Sequence, residues 1–370
     1  MITIKKLRHF RLWSALIVLV CGAFLTWLTY NSTRLYHHED IAIINKKNFS
    51  DTLSHKTKDI YQNHDQVRTQ RFTIKILSGK NTGKVYHLTN TYSPSQLLTQ
   101  KYRPNDRLLI KFVHHHPTIS TIKRDWILVA IGTLTLSLII LVAGKHVWAL
   151  LSSMAISWMI FFILISLDML THSFHNILLY GTGTILLSFL ALLIIQGFNK
   201  KMLVTWLSTL IGLFSSFFLC FLVMKLTGNS QMMYDNSDFT NQDLQGVFLA
   251  QTLLSVLGAV LDESTDIVSS LSELIIHNPT ITKREIIKSG QALGKEIMGP
   301  LINVLLLIFI ASELPLLILY LRDNTNIVDS FNYSLTLGLT QTMVAAIGIV
   351  LTVASATGCS LLFFKEEVTK

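Results

Sequence analysis

The chain has 370 residues, of which 50% are hydrophobic and only 14% charged. Its mean hydropathy is +0.47. Soluble domains carry roughly 25% charged residues, so a soluble enzyme is excluded. A net charge of +9 would suit nucleic acid, but uncharged stretches long enough to cross a bilayer explain the basic balance as a membrane address, and no nucleic-acid partner is expected. Six prolines and no low-complexity run exclude a disordered or fibrous chain, leaving an integral membrane protein with one polar portion.

A crossing helix needs about 20 apolar residues, because each residue rises about 1.5 Å and every backbone amide must be bonded within the segment. Eight segments qualify, at residues 12–30, 126–144, 147–167, 177–198, 202–224, 244 to about 276, 297–321 and 331–364. The expected fold class is mainly α: a polytopic α-helical membrane protein of about eight transmembrane helices, with a small extracytoplasmic β-rich domain between the first and second spans. The boundaries follow: 1–30 for the cytoplasmic N-terminal end and first helix, 31–125 for the β-rich domain, and 126–370 for a seven-helix transmembrane domain.

The first segment follows Lys5, Lys6, Arg8 and Arg11. A cleaved signal peptide is the alternative reading. The apolar core is long for one, and residues 25–30 lack a small-x-small cleavage pattern, so an uncleaved anchor is expected.

In the insert, residues 71–77 alternate apolar and polar side chains, 78–83 supply turn residues and 84–88 alternate again, which predicts a hairpin. A third strand is predicted at 107–113, entered through a turn at 103–106. A small antiparallel sheet or barrel fits, an OB-like fold being one form it can take. Residues 37–66 read as a connector or a long helix. His37, His38, His114, His115 and His116 cluster here, and imidazole is a common metal ligand. Consecutive histidines on a strand point to alternating faces and no cysteine is near, so no metal is expected. Cys21, Cys220 and Cys359 all fall in predicted spans, so there is no disulfide framework.

Orientation follows from Lys and Arg in short loops. With the N-terminus inside, eight crossings put Lys145, Lys200, Lys201, Lys283, Arg284, Lys288, Lys295, Lys365 and Lys370 on the cytoplasmic side. The opposite loops are residues 168–176, with Asp168 and no Lys or Arg, the segment with Asp235, Asp238 and Asp243, and the segment with Arg322, Asp323 and Asp329. A multi-pass protein of the cell membrane with both termini cytoplasmic is expected.

The sixth span carries acids, and a charge in hydrocarbon costs at least a few kcal/mol. At 100° per residue, Gln251, Ser255, Gly258, Asp262, Asp266, Ser269 and Glu273 share one sector, while Leu253, Leu257, Val260, Ile267, Leu271 and Ile275 lie opposite. Asp262 and Asp266 are one turn apart and can share a proton or cation; Glu263 sits off this stripe. Equally, a minimal span from Leu244 ends near Glu263, which would leave Asp266 and Glu273 in an interfacial, solvated helix. Gly290 and Gly294 form a small-xxx-small spacing for close helix approach. Gly299 with Pro300, and Pro315 further on, are candidate breaks or kinks in the seventh span, where Glu296, Gly299 and Asn303 share a face. The candidate ion or solute site is therefore Asp262, Asp266, Glu296 and Asn303, with Gly258, Gly290, Gly294, Gly299, Pro300 and Pro315 as packing or hinge positions. No interrupted segment in spans two to five mirrors this one, so repeat symmetry is not supported.

The residues from Gly258 through Asp262, Asn278-Pro279, Ser289-Gly290, Gly294 to Gly299, Asn303 and Leu314-Pro315 resemble the YibE/F-like family of bacterial multi-spanning membrane proteins. The pattern departs at Asp266, where the family tends to an uncharged residue, at Lys295-Glu296, where it tends to Arg-Asp, and at Pro300, where a small polar residue is usual. Asp262, Glu296 and Asn303 are thus the better carried-over candidates. The resemblance implies no assigned chemistry, and it implies a paired membrane protein of the same family as a candidate partner besides the lipid bilayer.

No hydrolase elbow, Walker loop, HExxH or dinucleotide motif occurs, so no enzyme activity and no cofactor are expected. The expected function is a permease or ion-coupled transporter. The alternative is a non-catalytic assembly or scaffold subunit that binds an envelope partner through the extracytoplasmic domain. An enzyme acting on lipids lacks a nucleophile constellation.

Overall fold

Residues 2–368 are described in the computed structural model, apart from 33–35, 37–38, 80, 96–98, 114–115, 145–146, 172–175, 229–231, 233 and 235–242. His37, His38, His114, His115, Lys145, Asp235, Asp238 and Lys370 therefore lie outside the described residues. The chain divides into two units, Met1–Val147 and Trp148–Lys370.

The first unit opens with α1 (Ile2–Asn31) and closes with α2 (Asp125–Ala143), which pack on one another as an antiparallel pair. Small residues set their approach. A Cβ on Gly22 would lie 2.4 Å from Thr133 Cβ, and the Ser137 hydroxyl donates to the Ala15 carbonyl at 3.1 Å. Between them lie β1 (Asp40–Ile44), a 3-10 turn (Lys46–Asn48), β2 (Ser50–Lys58), β3 (His64–Ile76), β4 (Val85–Tyr92), β5 (Arg107–Val113) and β6 (His116–Ile122). Every pairing is antiparallel. Arg71 pairs with Ser50 on one side and Thr89 on the other, while Ile74 pairs with Ile44 and Tyr86. Hence β1 and β2 occupy one edge of β3 as a single strand interrupted by the 3-10 turn, and β4 takes the other edge. β1 then pairs β5, and β5 pairs β6. The result is a curled sheet; no β4–β6 pairing closes a barrel among the described residues.

The predicted strands at 71–77, 84–88 and 107–113 are present as β3, β4 and β5. Residues 37–66 correct the expectation of a connector or long helix, since they hold β1, β2 and the start of β3. β2 carries no apolar alternation and is mostly exposed. It is held by backbone pairing to β3, which leaves no periodic trace in the sequence. The core is Ala42, Ile44, Phe72, Ile74, Ile76, Tyr102, Leu108 and Ile110. Gln70 is fully buried and acts as a backbone surrogate. Its amide donates to the Tyr102 carbonyl at 2.9 Å and accepts from the Tyr102 N–H at 3.0 Å.

The second unit contains α3 (Val147–Thr171), α4 (Asn176–Gln196), α5 (Lys200–Thr227), α6 (Leu244–His277), α7 (Lys283–Arg322), α8 (Ile327–Ser334) and α9 (Thr336–Val368). With α1 and α2, eight helices among the described residues are long and apolar enough to cross a membrane. Only 6% of the most apolar window of α2 and none of that of α7 is buried. Apolar surface so extensive is stable against lipid and not against water, so the chain is a multi-pass membrane protein.

Helix ends follow local chemistry. Asn199 caps α5 through the Met202 N–H, Gly228 ends it at φ 64°, Asp243 caps α6 through Gly246, and Thr282 with Glu285 forms a capping box on α7. That box starts α7 well before residue 297, and Ile286, Gly290 and Gly294 are buried at a four-residue spacing. α7 runs unbroken through Pro300 and Pro315, so neither proline interrupts the helix. The predicted eighth span is divided, with α8 separated from α9 at Leu335.

α9 packs against α5, α6 and α7. A Cβ on Gly290 would lie 2.2 Å from Thr357 Oγ1, and one on Gly294 would lie 2.4 Å from Val353 Cγ1. Two residues four apart on α7 thus meet two residues four apart on α9. Two apolar clusters result. One gathers Leu213, Cys220, Phe248, Leu253, Val256, Val260 and Val344; the other gathers Val204, Ile267, Leu271, Ile275, Ile286, Val353 and Ala356.

Candidate functional site

On α5, α6 and α9 the stretches between those two clusters include buried polar side chains: Ser208 and Thr209, Glu263 and Ser264, and Thr352. The hydroxyls are satisfied locally or across helices. Thr209 and Ser264 share a hydrogen bond of 2.5 Å, Ser208 and Thr352 donate to carbonyls one turn back, and Ser355 donates to the Ser208 carbonyl at 3.0 Å. Glu263 differs. It is fully buried, and neither carboxyl oxygen has a hydrogen-bond partner among the described residues.

Helix α6 separates its residues much as its periodicity dictates. Leu253, Leu257, Val260, Ile267, Leu271 and Ile275 are buried, whereas Gln251, Ser255, Gly258, Asp262, Asp266 and Glu273 are exposed along the opposite sector. Glu263 belongs to the buried sector, sharing a face with Val256, Val260 and Ile267. A cavity of about 270 Å³ between α6 and α7 is lined by Asp262, Glu263, Thr265, Asp266, Ile297 and Leu301. A second cavity of about 200 Å³ lies among α6, α7 and α9 and includes Ser255, Ser312, Glu313, Gln341 and Thr342. The acids of α6 and the polar groups near Glu313 thus line two separate cavities, both bordered by α6 and α7.

Asp262 and Asp266 therefore come together, with Glu263 as a third carboxyl. Glu296 and Asn303 are exposed on α7 and do not line that cavity. Gly258 and Gly299 face open space, with nothing within 4 Å of an added Cβ. Pro300 and Pro315 are exposed, and Gly290 and Gly294 serve the contact with α9. Sequence reasoning that followed the polar sector passed over Glu263. The available signal was the opposite one, an acid standing within an apolar stripe at i+7 from Val256 and i−4 from Ile267. Among the described residues, no three His, Cys, Asp or Glu side chains are grouped to hold a metal ion.

Two family models match the chain. One, described as YibE/F-like protein, covers residues 131–366; the other, described as YibE/F family N-terminal domain, covers residues 34–124. No curated protein matches, and no solved structure does.

Proposed function

We propose, from the premise that this chain belongs to the YibE/F-like family, a non-enzymatic role as an ion-coupled permease whose coupling group is the Glu263 carboxyl. A carboxyl removed from solvent with no donor is stable only when it carries a proton or a cation. That single observation supports the reading. Asp262 and Asp266 share its cavity and offer a hand-over point there, while Ser255 and Glu313 line the second cavity. The basic loops support placing both termini in the cytoplasm, and the β-rich unit on the opposite side of the cell membrane.

The test uses the purified full chain in liposomes under imposed pH, Na⁺ and K⁺ gradients, with an internal pH-sensitive dye. The wild type is expected to dissipate a gradient, and Glu263→Gln to slow it at least about tenfold, as losing a group on the ion path requires. Unchanged flux in Glu263→Gln removes the basis of the proposal. The second reading is an assembly subunit with a paired membrane protein, and it draws on α7, none of whose most apolar window is buried within the chain. Its signature is a stoichiometric partner that co-purifies with a wild-type chain showing no flux.

A further inference from the structure

A cavity of about 950 Å³ lies in the first unit, where the sheet meets the ends of α1 and α2. Six cations line it: Arg68, Lys101, Arg103, Arg107, Lys123 and Arg124. Three carboxylates accompany them. Asp51 receives Arg68 at 2.8 Å and Lys101 at 3.5 Å, Asp125 lies 3.5 Å from Lys123, and Asp106 accepts from the Arg103 backbone at 2.7 Å. Six positive charges thus face three negative ones. Part of the excess has a structural role. Lys123 and Arg107 donate to the Thr29 and Tyr30 carbonyls that end α1, as cations favour a helix C-terminus. That role does not use the groups fully, since the Arg107 Nε–H is buried with no acceptor among the described residues. Arg103 and Arg124 are exposed at the cavity, with Arg124 held by the Gln100 side chain at 2.9 Å.

The wall carrying Gln100, Lys101 and Arg103 is preorganised. Gln70 clamps both backbone groups of Tyr102, and Asn90 donates to the Gln100 carbonyl at 3.1 Å. The lip is apolar and aromatic. Tyr30 and Trp126 pack edge to face with ring centres 5.9 Å apart, and Ile127 is exposed beside them. Tyr and Trp at the end of a crossing helix mark the headgroup level of a bilayer. Guanidinium groups match phosphate oxygens in a two-pronged geometry, and basic clusters at this level attract anionic lipid.

We propose that this cavity is a binding site for a phosphate-bearing anion at the membrane surface, and that the headgroup phosphate of an anionic phospholipid is its source. Phosphate oxygens meet the Arg103, Arg124 and Arg107 guanidinium groups, and the acyl chains leave past Trp126 and Ile127 into the leaflet.

The experiment measures thermal stabilisation of the purified full chain in detergent, titrated with phosphatidylglycerol, phosphatidylcholine or inorganic phosphate. The double variant Arg103→Gln/Arg124→Gln removes the two exposed guanidiniums and leaves the α1 cap intact. Lys75→Gln/Lys84→Gln, which lie outside the cavity, removes the same charge. Phosphatidylglycerol is expected to stabilise the wild type and the lysine control alike, with apparent affinity for the arginine variant reduced roughly 10- to 30-fold. Phosphatidylcholine is expected to do little. Equal effects in both double variants would show a general charge effect and overturn the site. Equal stabilisation by inorganic phosphate at matched concentration would overturn the lipid as source while keeping the phosphate chemistry. No stabilisation by either anion overturns the proposal. An arginine variant that melts lower without ligand is replaced by Arg103→Lys/Arg124→Lys, which keeps charge and removes the two-pronged geometry; undiminished binding there overturns the role of the guanidiniums.

Discussion

Replacing Glu263 by Met should make the protein more stable. Two carboxyl oxygens are buried without partners, and each unsatisfied buried polar atom costs about 1–3 kcal/mol. The group as a whole therefore costs roughly 2–6 kcal/mol, from which relaxation and a bound proton subtract. Met has similar length, nearly the same helix propensity and no atom that demands a hydrogen bond, so the recoverable part is about 2 kcal/mol. For a unit of this size that corresponds to a rise in melting temperature of about 4–8 °C. The assay is tryptophan fluorescence of the detergent-solubilised full chain, at one scan rate because unfolding of such proteins is often irreversible. Glu263→Gln keeps two polar atoms in the same place and should gain much less. A Met variant that melts below the wild type by more than about 1 kcal/mol equivalent would mean that the carboxyl is a bonded structural group, and the coupling role would lose its support. A gain in stability with a loss of flux is the trade expected of a functional residue held in an unfavourable setting.

Two further outcomes follow from packing and charge. Gly294→Ala places a Cβ 2.4 Å from Val353 Cγ1 and 2.8 Å from its Cγ2. A helical valine has essentially one rotamer, so overpacking costs about 1–3 kcal/mol, against about 1 kcal/mol of helix propensity gained. Adding Val353→Ala should return the propensity gain, so a double-mutant cycle on melting temperatures is expected to give a favourable coupling above roughly 1 kcal/mol; zero coupling would refute the contact. In the sheet, burial works against ionisation of Asp51, but hydrogen bonds from Arg68 and Tyr92 and the charges of Arg68 and Lys101 outweigh it and hold the carboxyl below its ordinary range. A carboxylate lowered in the folded state stabilises above the unfolded value of about 3.9, and that contribution is lost as pH falls through the lower folded value. Amide protection in β2 and β3 of the full chain, taken relative to the intrinsic exchange rate at each pH, should therefore fall below about pH 4, and Asp51→Asn should flatten that dependence; an unchanged protection profile would show that the cluster does not couple to folding.

Membership of the YibE/F-like family and the eight crossings were legible in the residues. So were β3, β4, β5 and the two-sided character of α6, because uncharged length and side-chain period are local properties of the chain. The strands within 37–66 were not legible, since β2 is polar apart from Leu53 and is held by backbone pairing and by polar side-chain contacts such as Asp51 with Arg68, neither of which leaves an apolar period. The early start of α7 was also hidden. The Gly290–Gly294 spacing pointed to close helix approach, but the charges from Lys283 to Lys295 placed the stretch outside the predicted span, and only the structure shows Ile286, Gly290 and Gly294 sharing one buried face of α7.

What the sequence by itself determined is the number and approximate place of the crossing helices, three strands of the sheet, and which sector of α6 is apolar. Tertiary structure decided that the apolar sector of α6 is fully covered by neighbouring helices, so that Glu263, standing within that sector, and not Asp262 is the acid withdrawn from the surface with no hydrogen-bond partner among the described residues. It also decided that basic residues spread from Arg68 to Arg124 converge on one cavity, since strand pairing and the α1–α2 contact bring together side chains far apart along the chain, where their charges act on one another and on whatever anion enters.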